Sequence, residues 1–526
     1  MVLGKKLSVE AKELLILSLS NLYIGCLMNI DDLFALAKSR GFFWQSAEIY
    51  GGQAGMYDYG HLGTLLKRRF ESIWLSFFVD TDDDYYLIEG STILPEKPLV
   101  SSGHASRFND AIISCTKCHA YYRADTLLAD ASVGVSEGAT PDGIDKLVAF
   151  HKIKCPKCGG ALGKAKAFNM MMDLSLGPEK TDKSYLRPET AQSAYLNFFR
   201  EFNARRRSLP LGIAVIGKAY RNEISPRQGL FRMRELTQAE LQIFFNPESW
   251  KTGLDSFKNV EVNVVTAKKK TMEKRKIGEL VEEKAVPEFY AYHMALIQTF
   301  YAKVLGVPKE KIRFLEKGEG ERAFYNKIHM DIEIDVESWG GFREVGGLHY
   351  RGDYDLTSHT KGSQQDLSVA VDGNRIMPHV LELSFGVDRN VWALIDVFYK
   401  KDGERSVLQL PAILAPYQAA IFSLQKDEKA DKATKKLYDE LRQRFKIFMD
   451  QSGSIGKKYA RMDEIGTPYC ITVDFDTVNK ESKDYNTVTI RNRDDKKQVR
   501  VPVDKVASFL SEKFTFNPFD FLKASK

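Results

Sequence analysis

The sequence predicts an α+β protein: a large domain built on an antiparallel sheet flanked by helices, followed by a compact α/β domain. Three stretches carry that prediction. "AYRNEISPRQGLFRMRELTQAE" (219–240) lies between the apolar runs "LGIAVIGKAY" and "LQIFF", with Ser225, Pro226 and Gly229 as turn residues, so it reads as strand, loop, strand. "IHMDIEIDVESWGG" (328–341) alternates apolar and acidic residues, as an antiparallel strand with one wet face does. From about 405 the pattern changes to alternating strands and helices.

The elements follow in order. Residues 1–28 read as an N-terminal extension. Its apolar run, "LLILSLSNLYIGCLMNI" (14–30), follows Lys5, Lys6 and Lys12, but Glu10, Glu13, Ser18, Ser20 and Asn21 interrupt a signal-peptide pattern. The run is too short and polar for a membrane span, and a packed or frayed helix is favoured over a targeting signal. Met28 is the expected natural start. "DDLFALAKSRGFFW" and the amphipathic "TLLKRRFESIWLSFFV" read as helices, and "YYLIEGSTILP" as a strand stopping at Pro95. A cysteine-bearing segment, about 101–168, looks inserted. "YLRPETAQSAYLNFFREFN" (185–203) places Pro188 near the first turn of a helix, with Tyr195, Phe198, Phe199 and Phe202 on its apolar face.

A second insert covers about 246–328. Its Lys268, Lys269, Lys270, Lys274, Arg275 and Lys276 either track a nucleic-acid backbone or form a solvated helix face. "HVLELSFGVDRNVWALIDVFYK" (379–400) is a strand running into a helix, with Val391, Leu394, Ile395 and Phe398 at core spacing. Glu382 and Ser384 share one face of that strand. Arg389 falls in the helix's first turn, where backbone N–H groups already favour an anion. Beyond 405, "LPAILAPYQAAIFSL" and "TPYCITVDFDT" read as strands, "KADKATKKLYDELRQRFKIFMD" and "VPVDKVASFLSEKF" as helices. "SGSIGKKYARMDEIG" (452–466) lacks the glycine–lysine spacing of a phosphate loop.

At 526 residues, division by about 150 per domain suggests three or four domains. Hydrophobic content of 44% and charged content of 28% are those of a soluble globular chain. A net charge of +6, with no basic arm, permits a polyanionic partner without demanding one. Four of the six cysteines form "CTKC" (Cys115, Cys118) and "CPKC" (Cys155, Cys158), each pair setting two thiolates on one side of a turn. Two such knuckles point to a closed, structural four-thiolate Zn²⁺ site. The intervening 36 residues exceed the usual spacing, and the alternative is a pair of knuckles that has lost its metal. Cys26 and Cys470 read as ordinary buried thiols.

The hairpin at 219–240 is where charge and burial conflict. Arg221, Arg227, Arg232 and Arg234 are interleaved with Glu223, Glu235 and Glu240. Strand alternation puts Arg221 and Glu223 on one face, and Arg232, Arg234, Gln238 and Glu240 likewise. A solvated hairpin is the bland alternative, but the flanking strands are apolar enough to be central. Buried arginines need anions.

These residues resemble a known set. Arg-x-Glu on a strand, a loop and a return strand with further arginines resembles motif 2 of class II aminoacyl-tRNA synthetases. Gly386-Val387-Asp388-Arg389 after a strand resembles motif 3, and the segment ending at Pro95 is placed like motif 1. "YGGQAGMYDYG" (50–60), "SGH" (102–104), "YRAD" (122–125), "YLRPETAQ" (185–192), "FRMRELTQAE" (231–240) and "SGSIGKKYARMDEIGTPYCITVDFDTVNK" (452–480) narrow it. Together they resemble glycyl-tRNA synthetases of the homodimeric type from about Ile30 onward. His61, Ser193, Gly352 and Leu383 depart from the family's usual residues and bear on local backbone stiffness more than on chemistry.

The resemblance implies a class II catalytic domain over 29–404 and an anticodon-binding domain over 405–526. It implies ATP-dependent activation of glycine to glycyl-adenylate and transfer to the 3′ end of tRNA(Gly), by a cytoplasmic homodimer with no membrane attachment. Arg221 would clamp the α-phosphate and Arg389 the γ-phosphate, as the catalytic pair. Glu223 and Arg232 would position the rest of ATP, and Glu344 and Glu382 are candidates for Mg²⁺. Glu189 and Glu240 would receive the glycine ammonium, with Ser384 beside them and Arg351 near the carboxylate. For Glu189 the alternative is a helix N-terminal acid answering the dipole; its place beside Arg187 favours function. Two rivals share these features: a sister synthetase for threonine, proline or histidine, and a non-enzymatic synthetase-like protein that binds tRNA. The retained Arg221 and Arg389 speak against the second.

Overall fold

The computed structural model describes residues 30–134, 140–179, 182–205, 207–224, 226, 229–323, 325–371, 373–403 and 405–522. The extension at 1–28, the proposed start at Met28, Cys26, and the loop residues Ser225 and Arg227 lie outside the described residues.

Nine strands form the main sheet: β1 (Tyr85–Leu87), β2 (Leu211–Tyr220), β3 (Glu235–Phe245), β4 (Glu261–Val265), β5 (Met272–Lys276), β6 (Ile312–Glu316), β7 (Ile328–Val336), β8 (Gly341–Gly352) and β9 (His379–Gly386). Their spatial order is β5-β4-β6-β7-β8-β9-β3-β2-β1. All neighbours are antiparallel except β1 with β2 and β4 with β6. The hairpin loop is longer than the sequence suggests. β2 ends at Tyr220 and β3 begins at Glu235, so Arg221, Glu223, Arg232 and Arg234 are loop residues. The Arg221 N–H to Arg234 carbonyl bond (2.9 Å) closes its neck.

Strand alternation divides β3 by function. Ala239, Leu241, Ile243 and Phe245 face a core shared with helix α1 (His61–Phe78), while Gln238, Glu240 and Gln242 face the other side. That second face also carries helix α2 (Ala191–Ala204), whose Tyr195 and Phe198 pack on Phe244. Helix α3 (Val387–Phe398) lies with α1 and buries Val391, Leu394 and Ile395. In β9, Leu381, Leu383 and Phe385 join that core, so Glu382 and Ser384 point to the polar face. Leu383, a departure from the family pattern, is thereby a core residue.

The segment read as a second insert supplies β4, β5 and β6 to this sheet as well as helix Glu288–Thr299. Its basic run is not a helix face. Met272–Lys276 is the edge strand, where Lys274 pairs with Glu261 (2.8 Å) and Arg275 with Glu283 (2.7 Å). Helix α2 starts at Ala191, so Pro188 precedes it rather than opening it. "YYLIEGSTILP" is split into β1 and the strand Ile93–Pro95 of a separate three-stranded sheet.

The C-terminal sheet holds β10 (Ala419–Ser423), β11 (Ile447–Met449), β12 (Tyr469–Val473), β13 (Thr487–Asn492) and β14 (Gln498–Pro502), in the order β11-β10-β12-β13-β14. Helices Glu428–Leu441, Ile455–Glu464 and Val506–Phe514 accompany it. Residues 447–449, read as the end of a helix, are an edge strand parallel to β10. Among the described residues no helix is long and apolar enough to cross a membrane.

Candidate active site

The polar face of β3, β9 and β8 floors a cleft. Register sets Glu240 opposite Ser384 and Gln242 opposite Glu382 on one side, and His349 opposite Glu382 on the other. β8 and β9 approach closely here: a Cβ on Gly346 would stand 2.5 Å from the Ser384 carbonyl oxygen. Glu189, Arg221, Glu223, Arg232, Glu240, Glu344, Glu382, Ser384 and Arg389 all line the cleft. Arg351 does not. It is 2% exposed behind the floor, its fork on both Asp355 oxygens (2.7 and 2.8 Å) and Nη1 on Glu382 Oε2 (3.0 Å).

One end of the cleft is acidic. Glu240 accepts from Thr190 Oγ1 (2.7 Å), Ser384 Oγ (2.8 Å) and Gln238 Nε2 (2.9 Å). Glu189, ahead of α2, accepts from Gln192 Nε2 (3.0 Å) and stands 3.4 Å from His104 Nε2. Glu382 Oε2 has Tyr195 Oη at 3.2 Å and Gln242 Nε2 at 3.0 Å, besides Arg351. Burial, then the neighbouring Glu382 and Glu189, pushes the Glu240 carboxyl up to about 8. Burial also raises Glu382, against the pull of Arg351. For Glu189 burial is outweighed by His104 and Arg351, which hold its carboxyl far below the usual range. Glu240 makes no ion pair among the described residues, only bonds from neutral donors.

The other end is basic. Arg389 donates from Nε to the Phe231 carbonyl (3.0 Å), lies over the Phe231 ring, and pairs with Glu344 (3.0 Å). Arg221 donates to the Pro188 carbonyl (3.1 Å) from beneath Phe108. Arg232 Nε and Arg123 Nη1 stand 3.7 and 3.8 Å from Glu223 Oε2, which is buried with no hydrogen-bond partner among the described residues.

The two Mg²⁺ candidates do not belong together. Glu344 is half exposed at the open, basic end, whereas Glu382 is 5% exposed and its Oε2 is fully engaged. Glu344 lies along β8 from His349, past the bulge that separates it from Gly346, so the two carboxylates meet different surroundings, one open and one already engaged.

The four knuckle cysteines do converge. Cys115 Sγ is 3.5 Å from Cys158 Sγ and Cys118 Sγ is 3.7 Å from Cys155 Sγ, and all four sulfurs lie within 4.8 Å of one another. Four thiolates about 2.3 Å from a tetrahedral ion would be spaced about 3.8 Å apart, so the residues fit zinc.

Sequence reasoning missed His104, Arg123, Tyr325 and His349, and named Gln238 only as sharing a strand face with Glu240. "SGH" and "YRAD" are legible as short polar runs, but only the fold shows that His104 reaches Glu189 and Arg123 reaches Glu223. Arg187 is a structural clamp: it donates to the carbonyls of Lys218 (2.7 Å) and Gly90 (3.0 Å) and to Ser193 Oγ (3.2 Å). Its neighbourhood is therefore no argument for Glu189, which reaches the cleft independently.

Residues 175–398 match the family model described as tRNA synthetase class II core domain (G, H, P, S and T), and 418–513 match Anticodon binding domain. Glycine–tRNA ligases of Aeropyrum pernix and Pyrococcus furiosus are each 36% identical over 91% of this chain, covering 96% and 97% of their own lengths. That of Methanocaldococcus jannaschii is 34% identical over 92% of this chain and 98% of its own. The chain belongs to the glycine–tRNA ligase family. Among solved structures, Cryptosporidium parvum prolyl-tRNA synthetase complexed with halofuginone and AMPPNP superposes with a TM-score of 0.57 at 13% identity. The superposition covers 94% of this chain and 78% of that one, and shows a shared fold. The class II core match spans α2 through α3, which carry part of the acidic end and Arg389. The anticodon-domain match coincides with the five-stranded C-terminal sheet.

Proposed function

We propose that the cleft binds glycine at its acidic end and ATP at its basic end, and joins them as glycyl-adenylate. The polarity split carries this reading: across one floor Glu189 and Glu240 line one end and Arg221, Arg232 and Arg389 the other, where Arg221 has no carboxylate partner among the described residues. Glu240 and Glu189 receive the ammonium, and Ser384 holds Glu240 in place. Charge-assisted contacts of this kind contribute about 1.5–3 kcal/mol each. Arg351, sealed behind the floor, fixes Glu382 instead of touching the substrate.

The glycine carboxylate then faces the arginines and attacks the α-phosphorus in line, and pyrophosphate leaves. Arg221 offers a planar fork to the α-phosphate oxygens, and Arg389, at the N-terminal turn of α3, to the γ-phosphate. The unpartnered Glu223 oxygen accepts from a donor on the nucleotide, and Arg232 beside it answers phosphate charge. Class II synthetases use ATP with Mg²⁺, whose bound ion would spread phosphate charge in the displacement; Glu344 is positioned to hold it and Glu382 is not. In the second step a terminal hydroxyl of tRNA attacks the adenylate carbonyl and AMP leaves. We assign the catalytic domain to about 29–404, anticodon binding to the C-terminal domain, structural zinc to the cysteine cluster, and place a homodimer in the cytoplasm.

Glu189→Gln tests the pocket. In ATP–pyrophosphate exchange it should raise the KM for glycine about tenfold or more and leave the KM for ATP within about twofold, since it weakens an ammonium contact and touches no phosphate. An unchanged glycine KM would place the amino acid elsewhere.

A further inference from the structure

Arg123, on the cysteine-bearing segment, stands beside the cleft residue Glu223. In the strand Tyr121–Arg123 successive residues face opposite ways. Tyr122 turns to the cysteines, its Oη 3.1 Å from Cys155 Sγ, and Arg123 turns to the nucleotide end. Arg123 is held hard. Nε and Nη2 grip the two Asp125 oxygens at 3.0 and 2.7 Å, and Nη1 stands 2.7 Å from Asp110 Oδ2 on the adjacent strand Asn109–Ser114. The same Nη1 is 3.8 Å from Glu223 Oε2, and Arg232 Nε approaches that oxygen at 3.7 Å from the other element. Both separations give Coulombic attraction without a hydrogen bond, so Glu223 is drawn into place while Oε2 stays open.

We propose that Arg123 is a positioning residue for nucleotide binding: anchored by Asp110 and Asp125 on the cysteine-bearing segment, it orients Glu223 and counterbalances Arg232 without occupying the Glu223 oxygen that meets ATP. The segment that would hold zinc is thereby tied to the ATP end through Arg123, as its His104 ties it to Glu189 at the other end. This rests on the assignment of Glu223 to ATP made above.

A double-mutant cycle of Arg123→Ala and Glu223→Gln, read by ATP–pyrophosphate exchange and thermal unfolding, separates the two claims. Arg123→Ala should raise the KM for ATP about tenfold, leave the KM for glycine within about twofold, and leave the unfolding midpoint near that of the parent. Arg123→Lys, which keeps the charge but loses the fork, should recover part of the loss. The double variant should be no worse than the more affected single one, because Arg123 acts through Glu223. If Glu223→Gln leaves the KM for ATP unchanged, the assignment of Glu223 fails. If Glu223→Gln raises it but Arg123→Ala does not, or the two effects multiply, the positioning role fails. If Arg123→Ala raises both KM values together with a lowered midpoint, Arg123 is only a structural tie. Should that variant not fold, Asp125→Asn loosens the same guanidinium, and an unaltered KM for ATP there overturns the inference.

Discussion

At neutral pH the Glu240 carboxyl, pushed up to about 8 by burial and by Glu382 and Glu189, still carries its proton. A glycine ammonium favours the carboxylate, so binding should release a proton, and the KM for glycine should fall as pH rises from about 6 to 8. The same shift acts on folding with the opposite sense. Between the unfolded value of 4.5 and about 8 the folded state holds a proton that the unfolded chain has lost, so this group's contribution to stability falls as pH rises through that window. Glu240→Gln should abolish the proton release, seen by calorimetry in two buffers of different ionisation enthalpy, and flatten the pH dependence of a raised KM. At the other end, Arg221→Ala and Arg389→Ala should each lower exchange by about 10²–10³ with the fold intact by circular dichroism. Near-normal exchange in either would remove that arginine from the phosphate site. Residue type was legible here, and the resemblance of the motifs let Glu189, Glu240, Ser384, Arg221 and Arg389 be named together; all five line one cleft. Partners were not legible. The contacts of Glu382 with Tyr195, Gln242 and Arg351 join residues far apart in the chain, so they could not be read from the sequence.

Elements with a strong period were readable, and edges were not. The central strands β3 and β9 show an apolar face and a polar face at alternate residues, and α3 shows its core spacing, because each is decided by burial along its own length. The edge strand Met272–Lys276 and the short Ile447–Met449 depend on a neighbour for their hydrogen bonds, so lysines in the first and a helical lead-in to the second misdirect local reading. The same dependence on a neighbour makes Gly346 sensitive: Gly346→Ala sets a methyl 2.5 Å from the Ser384 carbonyl oxygen and must part β8 from β9. It should cost about 1–3 kcal/mol in chemical denaturation and raise the KM for glycine. In the cysteine-bearing element, metal analysis should find about one zinc per chain, lost on Cys115→Ser or Cys155→Ser along with protection of residues 109–123 in hydrogen exchange. A metal-free protein with full protection there would count against a zinc-dependent fold.

On the scale of the whole molecule, two sheets share one continuous core: Leu408, Leu410, Leu414, Ala420, Phe422 and Met462 pack into the cluster that underlies the catalytic floor. The sequence marks the change of pattern near 405, but the hairpin Tyr399–Asp402 and Arg405–Leu408 bridges that point. The boundary is therefore a seam between joined bodies, which a composition shift cannot reveal. A shared fold does not fix the substrate, so the amino acid must be argued from the site. Glycine has no side chain to recognise, so selection must come from excluding a Cβ, and a lone methyl changes binding by about 1–3 kcal/mol in a yielding pocket. Thr190, Ser384 and Gln238 hold Glu240 in one position, so if glycine sits there as proposed, a Cβ would lift the ammonium from that carboxylate. The decisive measurement is ATP–pyrophosphate exchange by the purified full-length chain across single amino acids. Exchange should be strong with glycine, weak with alanine and serine, and absent with threonine, proline or histidine; robust exchange with any of those three, or none with glycine, would show that the cleft does not select glycine.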